Sequence, residues 1–402
     1  MSTAPPEIWL TIFEHATFVP HAFDADAGDP FDVAGAPLPH DGTIQKDLIA
    51  SLSTKWSLAL VCKSWHELAT PLLYQAVAAG SDKSLQSLCD ALARFASADL
   101  PIRRPRVRRL DLFRWSPFVL SSKQASANLI SIFTYLPDLE IICGHSFPSE
   151  LADLNSYMQA LVVNCGHSLR KCSLYSPFIS RDDCVALLTR CPRLAHLYIL
   201  RHPRPRKQSY SLQDIPKQNN LTFLSLDLPL SQHQEPLHPI PSLQHVHILL
   251  QNPPYLGVED FLSVQGPHLR TIQLNAQRFS TQENIQVYFD FFGEYCPKLV
   301  HLIIICESWS QLFPPVSLPP TVTHLGVFAT GECASNGLAE YLERTGNLAN
   351  QRTIPVVIKW LNSSTKGDLE RPLIDVAPRA LPTASSPQCR LKDADGSGLS
   401  SS

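Results

Sequence analysis

The sequence predicts an α/β protein built as a short helical head followed by a longer body of strand–helix repeats. Three observations lead there. Residues 4–78 carry amphipathic helical patterns rich in tryptophan and aliphatic side chains. From residue 107 onward a short hydrophobic phrase returns at intervals of 22 to 32 residues. Helix-like segments lie between its copies.

The head begins with PPEIWLTIFEHAT at 5–17. Pro5 and Pro6 suit a helix start, and Glu7 falls in the first turn, where the helix dipole favours a carboxylate. Ile8, Trp9, Ile12, Phe13 and Ala16 recur at steps of three and four and form one broad apolar face. A second helical pattern spans about 55–69, with Leu58, Val61, Cys62, Trp65, Leu68 and Ala69 as its stripe. Thr70-Pro71 then reads as a helix cap with proline at the first position, opening a third short helix through Leu72, Leu73 and Tyr74. So small a module cannot enclose all this apolar surface. Some of it must pack on the rest of the chain or stay available to a partner.

PPEIWLTIFEHA followed by LALVCKSWHELATPLLYQAV resembles the F-box, most closely the form found in many fungal F-box proteins. Ala4 stands where that family usually has a leading leucine. The resemblance covers residues 4–78. It implies docking on a Skp-type adaptor of a cullin ubiquitin ligase through Pro5, Pro6, Glu7, Ile8, Trp9, Ile12, Phe13, Leu58, Val61, Cys62, Trp65, Leu68, Leu72 and Leu73. The interval at 18–54 is longer than in minimal F-boxes. Its Asp, Gly, Pro and Ala content reads as a solvated loop insert. Asp24, Asp26 and Asp29 lack the order of a calcium loop.

The body runs over 81–360. Residues 81–98 read as a helix with Leu85, Leu88, Leu92 and Phe95 on one face. The recurring phrase appears as VRRLDL at 107–112, LRKCSL at 169–174, LAHLYI at 194–199 and LTFLSL at 221–226. LQHVHI at 243–248, LRTIQL at 269–274, LVHLII at 299–304 and VTHLGV at 322–327 continue it, and LEIICG at 139–144 is a weaker copy. Proline-containing turns such as CPRL and CPKL lead in. Segments such as SANLISIFTYL, SRDDCVALLTR and QENIQVYFDFFGEY supply the intervening helices. The spacing is that of irregular leucine-rich repeats, although the asparagine usual after the strand is missing from most copies. IPVVIKWL at 354–361 reads as a last strand, and the Ser-, Pro-, Asp- and Gly-rich tail at 361–402 is expected to be disordered.

Repeat phase also proposes a binding face. Residues flanking the second hydrophobic of each phrase should project from the open side of the sheet. The first flank reads Arg109, Lys171, His196, Phe223, His245, Thr271, His301 and His324 down the chain. The second reads Asp111, Ser173, Tyr198, Ser225, His247, Gln273 and Ile303. Arg109, Lys171, His196, Tyr198, Phe223, His245, His247, Gln273, His301 and His324 are the expected partner-binding set. Its histidines are either polar filler on a crowded sheet or a pH-sensitive recognition column. No acid or cysteine completes a metal set around His245 and His247.

Composition bounds the remaining readings. The 402 residues are 44% hydrophobic and 17% charged, with a net charge of −3. That balance gives no general case for binding nucleic acid or an anionic membrane. The arginines of PIRRPRVRR at 101–109 and RHPRPRK at 201–207 are either solvated loop charges or a site for an acidic or phosphorylated partner. No phosphate loop, dinucleotide-binding glycine pattern, nucleophile elbow or zinc-protease motif occurs, so neither catalysis nor a cofactor is expected. The 11 cysteines lack C-x-x-C spacing, and residues 1–20 lack a secretory pattern. A reduced protein of the cytoplasm or nucleus is the expectation. The function expected is an adaptor that docks a ligase with its head and holds an unknown target protein with its body. A repeat scaffold using its head outside ubiquitylation is the alternative.

Overall fold

The structure is a computed structural model. It describes residues 4–25, 28–32, 42–97, 106–112, 123–144, 154–175, 181–200, 220–226, 238–250, 257–276, 282–307, 317–329, 341, 344, 355–361 and 389–392. The chain divides into two compact units. The first comprises Met1–Asp26 with Pro39–Arg206, and the second Ala27–Leu38 with Lys207–Ser402.

The first unit opens with three helices, α1 (Pro6–Ala16), α2 (Gly42–Ala59) and α3 (Lys63–Gln75). Phe13, Ala59, Ala69 and Leu72 form the buried centre, with Trp9, Leu58, Trp65 and Leu68 packed around them. The Trp9 and Phe13 rings each lie 4.8 Å from Trp65, tilted or edge-on as aromatic quadrupoles prefer.

Two boundaries differ from the sequence reading. Residues 42–54, read as part of a loop, belong to α2, and the helical run breaks at Leu60–Cys62. Pro71 starts no new helix but lies inside α3. Buried Ala69 and Leu72 on either side hold that turn against the head core, so packing outweighs the one ladder bond that proline forfeits.

Five strands follow in this unit: β1 (Ala76–Ala79), β2 (Arg109–Leu112), β3 (Ile141–Gly144), β4 (Lys171–Tyr175) and β5 (His196–Leu200). Each pairs in parallel with the next. The crossovers include α4 (Asp82–Ser97), α5 (Lys123–Thr134), α6 (Leu154–Cys165) and α7 (Arg181–Arg190). At the start of α4 the Ser84 amide donates to the Ser81 hydroxyl, and the Ser81 amide donates to the Ser84 hydroxyl. This reciprocal cap explains why the helix begins there.

The second unit repeats the plan with β6 (Phe223–Leu226), β7 (His245–Leu249), β8 (Thr271–Asn275), β9 (His301–Cys306), β10 (His324–Ala329), β11 (Val356–Trp360) and β12 (Cys389–Lys392). These too pair in parallel in chain order. Helices α8 (Val258–Gln265) and α9 (Gln282–Tyr295) lie in the crossovers before β8 and β9. Strand β12 departs from the expectation of a wholly disordered tail; the rest of 362–402 lies outside the described residues.

The repeat phrase has a direct physical basis. Its first hydrophobic, represented by Val107, Leu139, Leu169, Leu194, Leu221, Leu243, Leu269, Leu299 and Val322, is buried at the turn into each strand. The second and third fall on alternate strand positions of one face, and those whose side chains are described are buried as well.

Neighbouring repeats also approach closely at glycines. A Cβ on Gly266 would lie 2.3 Å from the Tyr295 carbonyl oxygen, and one on Gly166 2.8 Å from the Arg190 carbonyl oxygen. Both contacts are to backbone at the end of the next helix, which cannot rotate aside. Gly266→Ala is expected to destabilise the second unit by ~1–3 kcal/mol, the usual cost of overpacking. Thermal unfolding checks this, and an unchanged midpoint would contradict it.

Candidate functional site

The residues expected to dock an adaptor separate into two groups. Phe13 and Leu72 are buried, and Trp9, Leu58, Trp65 and Leu68 pack on them as the head's own core. Leu73 is half-buried. These residues therefore hold the head together before they can serve a partner.

The other group faces water: Pro5, Pro6, Glu7, Ile8, Ile12, Val61 and Cys62 are exposed. Ile8 is 51% accessible, Ile12 45% and Val61 59%. Leu60, Trp56 and Ile49 are also exposed apolar side chains of the head, and sequence pattern had singled out none of them. Ile49 lies in the part of α2 that was read as loop, whereas Trp56 and Leu60 fall within the 55–69 helical pattern but off the stripe assigned to it.

The expected partner-binding column is present as a geometric object. In the first unit Arg109, Ile141, Lys171 and His196 are paired in register across β2 to β5. In the second, Phe223, His245, Thr271, His301 and His324 are paired across β6 to β10. The second flank is likewise aligned, as Asp111, Cys143, Ser173 and Tyr198, and as Ser225, His247, Gln273, Ile303 and Gly326.

As an open surface, however, the column needs correction. Arg109, His196, Tyr198, Phe223, His245, His247 and Gln273 are all buried, and only Lys171, His301 and His324 retain intermediate exposure. Part of the cover comes from the insert after α1, which is therefore not a solvated loop along its whole length.

In the first unit, Arg109 forms a two-pronged ion pair with Asp111: Nε donates at 2.6 Å and Nη2 at 2.8 Å. Its Nη1 donates to the Ala22 carbonyl oxygen of the insert at 2.5 Å. Burial alone would lower the guanidinium pKa, yet Asp111 raises it well above the ordinary value. Ala25 packs on Ile141 and Cys143 of β3. Burial and the neighbouring Arg109 lower the pKa of Lys171.

In the second unit the insert contributes Gly28–Asp32. The Asp32 amide donates to the Asp29 carbonyl oxygen at 2.9 Å, and the Phe31 amide to Asp29 Oδ1 at 2.9 Å. Aspartate first and proline second is a favoured arrangement for such a turn.

This turn sits on the sheet through side chains. Asp29 Oδ2 accepts from Thr271 Oγ1 at 2.6 Å and from His301 Nδ1 at 2.5 Å. Burial alone would raise the carboxyl pKa, but these donors hold it down at about 2. The Phe31 ring stacks on His301 at 4.6 Å and 11°, and meets His324 edge-on at 5.3 Å. Lys359 Nζ donates to the Phe31 carbonyl oxygen at 3.1 Å and lies 5.4 Å from the ring centre. Ile303, Ile305, Phe328 and Leu361 complete the apolar floor beneath the ring.

His247 is a core histidine. It is fully buried, with Nδ1 3.0 Å from Ser225 Oγ and Nε2 3.3 Å from the Asn275 side-chain nitrogen. Burial drives its pKa down to about 3. Burial also lowers the pKa of His245.

Among the described residues no group of three or more His, Cys, Asp or Glu side chains could hold a metal ion, and no helix is long and apolar enough to cross a membrane. Cys62, Cys89, Cys143, Cys165, Cys172, Cys191 and Cys296 form no disulfide. Burial raises the Cys191 and Cys296 thiols to about 12. Such groups act as small apolar side chains at the turn after a helix.

Of the two arginine clusters, 101–105 and 201–207 lie outside the described residues. Arg106 lies 3.5 Å from Asp138, and Arg108 pairs through two hydrogen bonds with Glu140. Those arginines are engaged within the unit and are not an open phosphate site.

No family model matches the chain, and no curated protein matches it. Among solved structures the chain is similar to one described as the crystal structure of the Rad7 and Elc1 complex in yeast. Identity is 15% and the TM-score 0.36, over 88% of this chain and 85% of that chain. A likeness at that score is too distant to bear on fold or function.

Proposed function

We propose that this protein is a substrate-recognition adaptor of a Skp–cullin–F-box ubiquitin ligase, of the fungal F-box kind, acting in the cytoplasm or nucleus. The observation that carries the reading is the head. Its helices fill their own core, yet they leave Ile8, Ile12, Leu60 and Val61 exposed within the segments that resemble the F-box. Exposed aliphatic side chains beside a completed core are what a protein-docking helix module presents.

The mechanism is positional. The head docks on a Skp-type adaptor, the repeat body holds a target, and the shared assembly raises the target's effective concentration at the conjugating enzyme. No side chain of this chain need carry out acid–base chemistry, and no cofactor is required.

Co-expression with a Skp-type adaptor tests the reading, and failure of the wild-type chain to co-purify would defeat it. The structure also decides which variants are informative. Ile8→Asp and Val61→Asp should weaken adaptor binding at least tenfold while leaving thermal stability within about 0.5 kcal/mol, as for exposed positions. Trp65→Ala should instead cost ~3 kcal/mol of head stability, because it opens a cavity beside Trp9 and Phe13.

A further inference from the structure

We propose that the face of the second unit formed by Thr271, His301, His324 and Lys359 is a receptor site for an acidic–aromatic peptide turn, which the chain's own Asp29-Pro30-Phe31 now occupies as a tethered ligand. The target chemistry is a protein segment with a carboxylate two residues before an aromatic ring.

Three features separate this arrangement from ordinary core packing. The contacts to the sheet come from side chains and one backbone carbonyl of the insert, and none belongs to the strand ladder. The strands can therefore stay paired when the segment leaves. Next, the turn is closed by its own bonds, the Asp32 amide to the Asp29 carbonyl and the Phe31 amide to the Asp29 carboxylate. It is a preformed shape presented to the sheet. Finally, each part of the turn is matched by a different group. Two donors converge on one carboxylate oxygen, a histidine lies flat on the ring, a second meets its edge, and an ammonium meets the carbonyl and the ring. Such convergence of polar and aromatic groups is the character of a recognition pocket.

The site groups are on β8 to β11, at the flank positions that repeat phase assigns to the binding side. A tethered segment competes at millimolar effective concentration, so the resting chain should answer only to a target that displaces it. The inference needs no ligase adaptor, so it fails or stands separately from the proposed function.

The test uses the full chain and a fluorescent peptide, Ala-Gly-Asp-Pro-Phe-Asp-Val, copied from residues 27–33. Asp29→Ala with Phe31→Ala should clear the site and bind the peptide at least tenfold more tightly than wild type by anisotropy. Adding His301→Ala to the cleared chain should reduce binding at least tenfold. A peptide with Asn for its first Asp and Ala for Phe should not bind. Circular dichroism and melting report whether the cleared chain stays folded. Three results would each overturn the proposal: a folded cleared chain that ignores the peptide, equal binding by wild type and cleared chain, or loss of fold in the cleared chain, which would make the segment structural.

Discussion

Arg109→Ala should destabilise the first unit by ~3–5 kcal/mol, the cost of leaving a buried charge without its partner. Asp111 is fully buried, and both its oxygens accept from Arg109. Removing the guanidinium strands that carboxylate and also deprives the Ala22 carbonyl oxygen of its donor. Lys171 is the next cation whose field Asp111 feels, and it softens the loss without replacing two hydrogen bonds. Replacing both partners with apolar side chains of similar volume, Arg109→Met with Asp111→Leu, should cost far less than the single change, because no charge is then left in the core. Urea unfolding of wild type, Arg109→Ala and the double variant decides the matter. A single-variant cost below 1 kcal/mol would show that the pair is solvated and that the insert is not anchored there.

The strand plan was legible because it rests on local alternation. Leu110 and Leu112, or Ile272 and Leu274, are inward on consecutive same-face positions, and any sequence with that spacing declares its phase. The expected helices over residues 81–98 and 282–295 appear as α4 and α9 for the same reason. What covers the opposite face could not be read this way. Asp29 meets His301 across 272 residues of chain, and such a contact leaves no periodic trace. The one local sign was the Asp-Pro-Phe-Asp turn chemistry, which specifies a shape but not its seat. Helix α2 was hidden differently. Leu48 and Leu52 pack beside Ala22 at a helical step, but the preceding Asp, Gly and Pro suggested a loop extending too far. The residues expected to dock an adaptor divide by burial, which depends on how three helices meet and not on the pattern of any one.

Acid should destabilise the second unit well above the carboxylate range, and His247 is the reason. With the Asn275 side-chain nitrogen facing Nε2, the ring is neutral, with its hydrogen on Nδ1 toward Ser225. The folded pKa, about 3, lies below the ordinary 6.5. Below pH 6.5 the unfolded chain therefore binds a proton that the folded chain refuses. Stability is fully present above pH 6.5 and is lost progressively as pH falls from 6.5 towards 3. The loss from this ring should reach ~2 kcal/mol by pH 5 and ~4–5 kcal/mol near pH 3. His245, whose pKa burial also lowers, adds in the same direction. Asp29 acts in a lower window, since its carboxyl falls from 3.8 to about 2 and its contribution disappears only as pH drops through that interval. His247→Gln separates these effects, because an amide can still bond to Ser225 and Asn275 but does not titrate. Wild type and variant should therefore diverge in their slopes of unfolding free energy between pH 7.5 and 4.5, with the shallower slope in the variant. Identical slopes would overturn the expectation, since they would mean that His247 charges without opening the core.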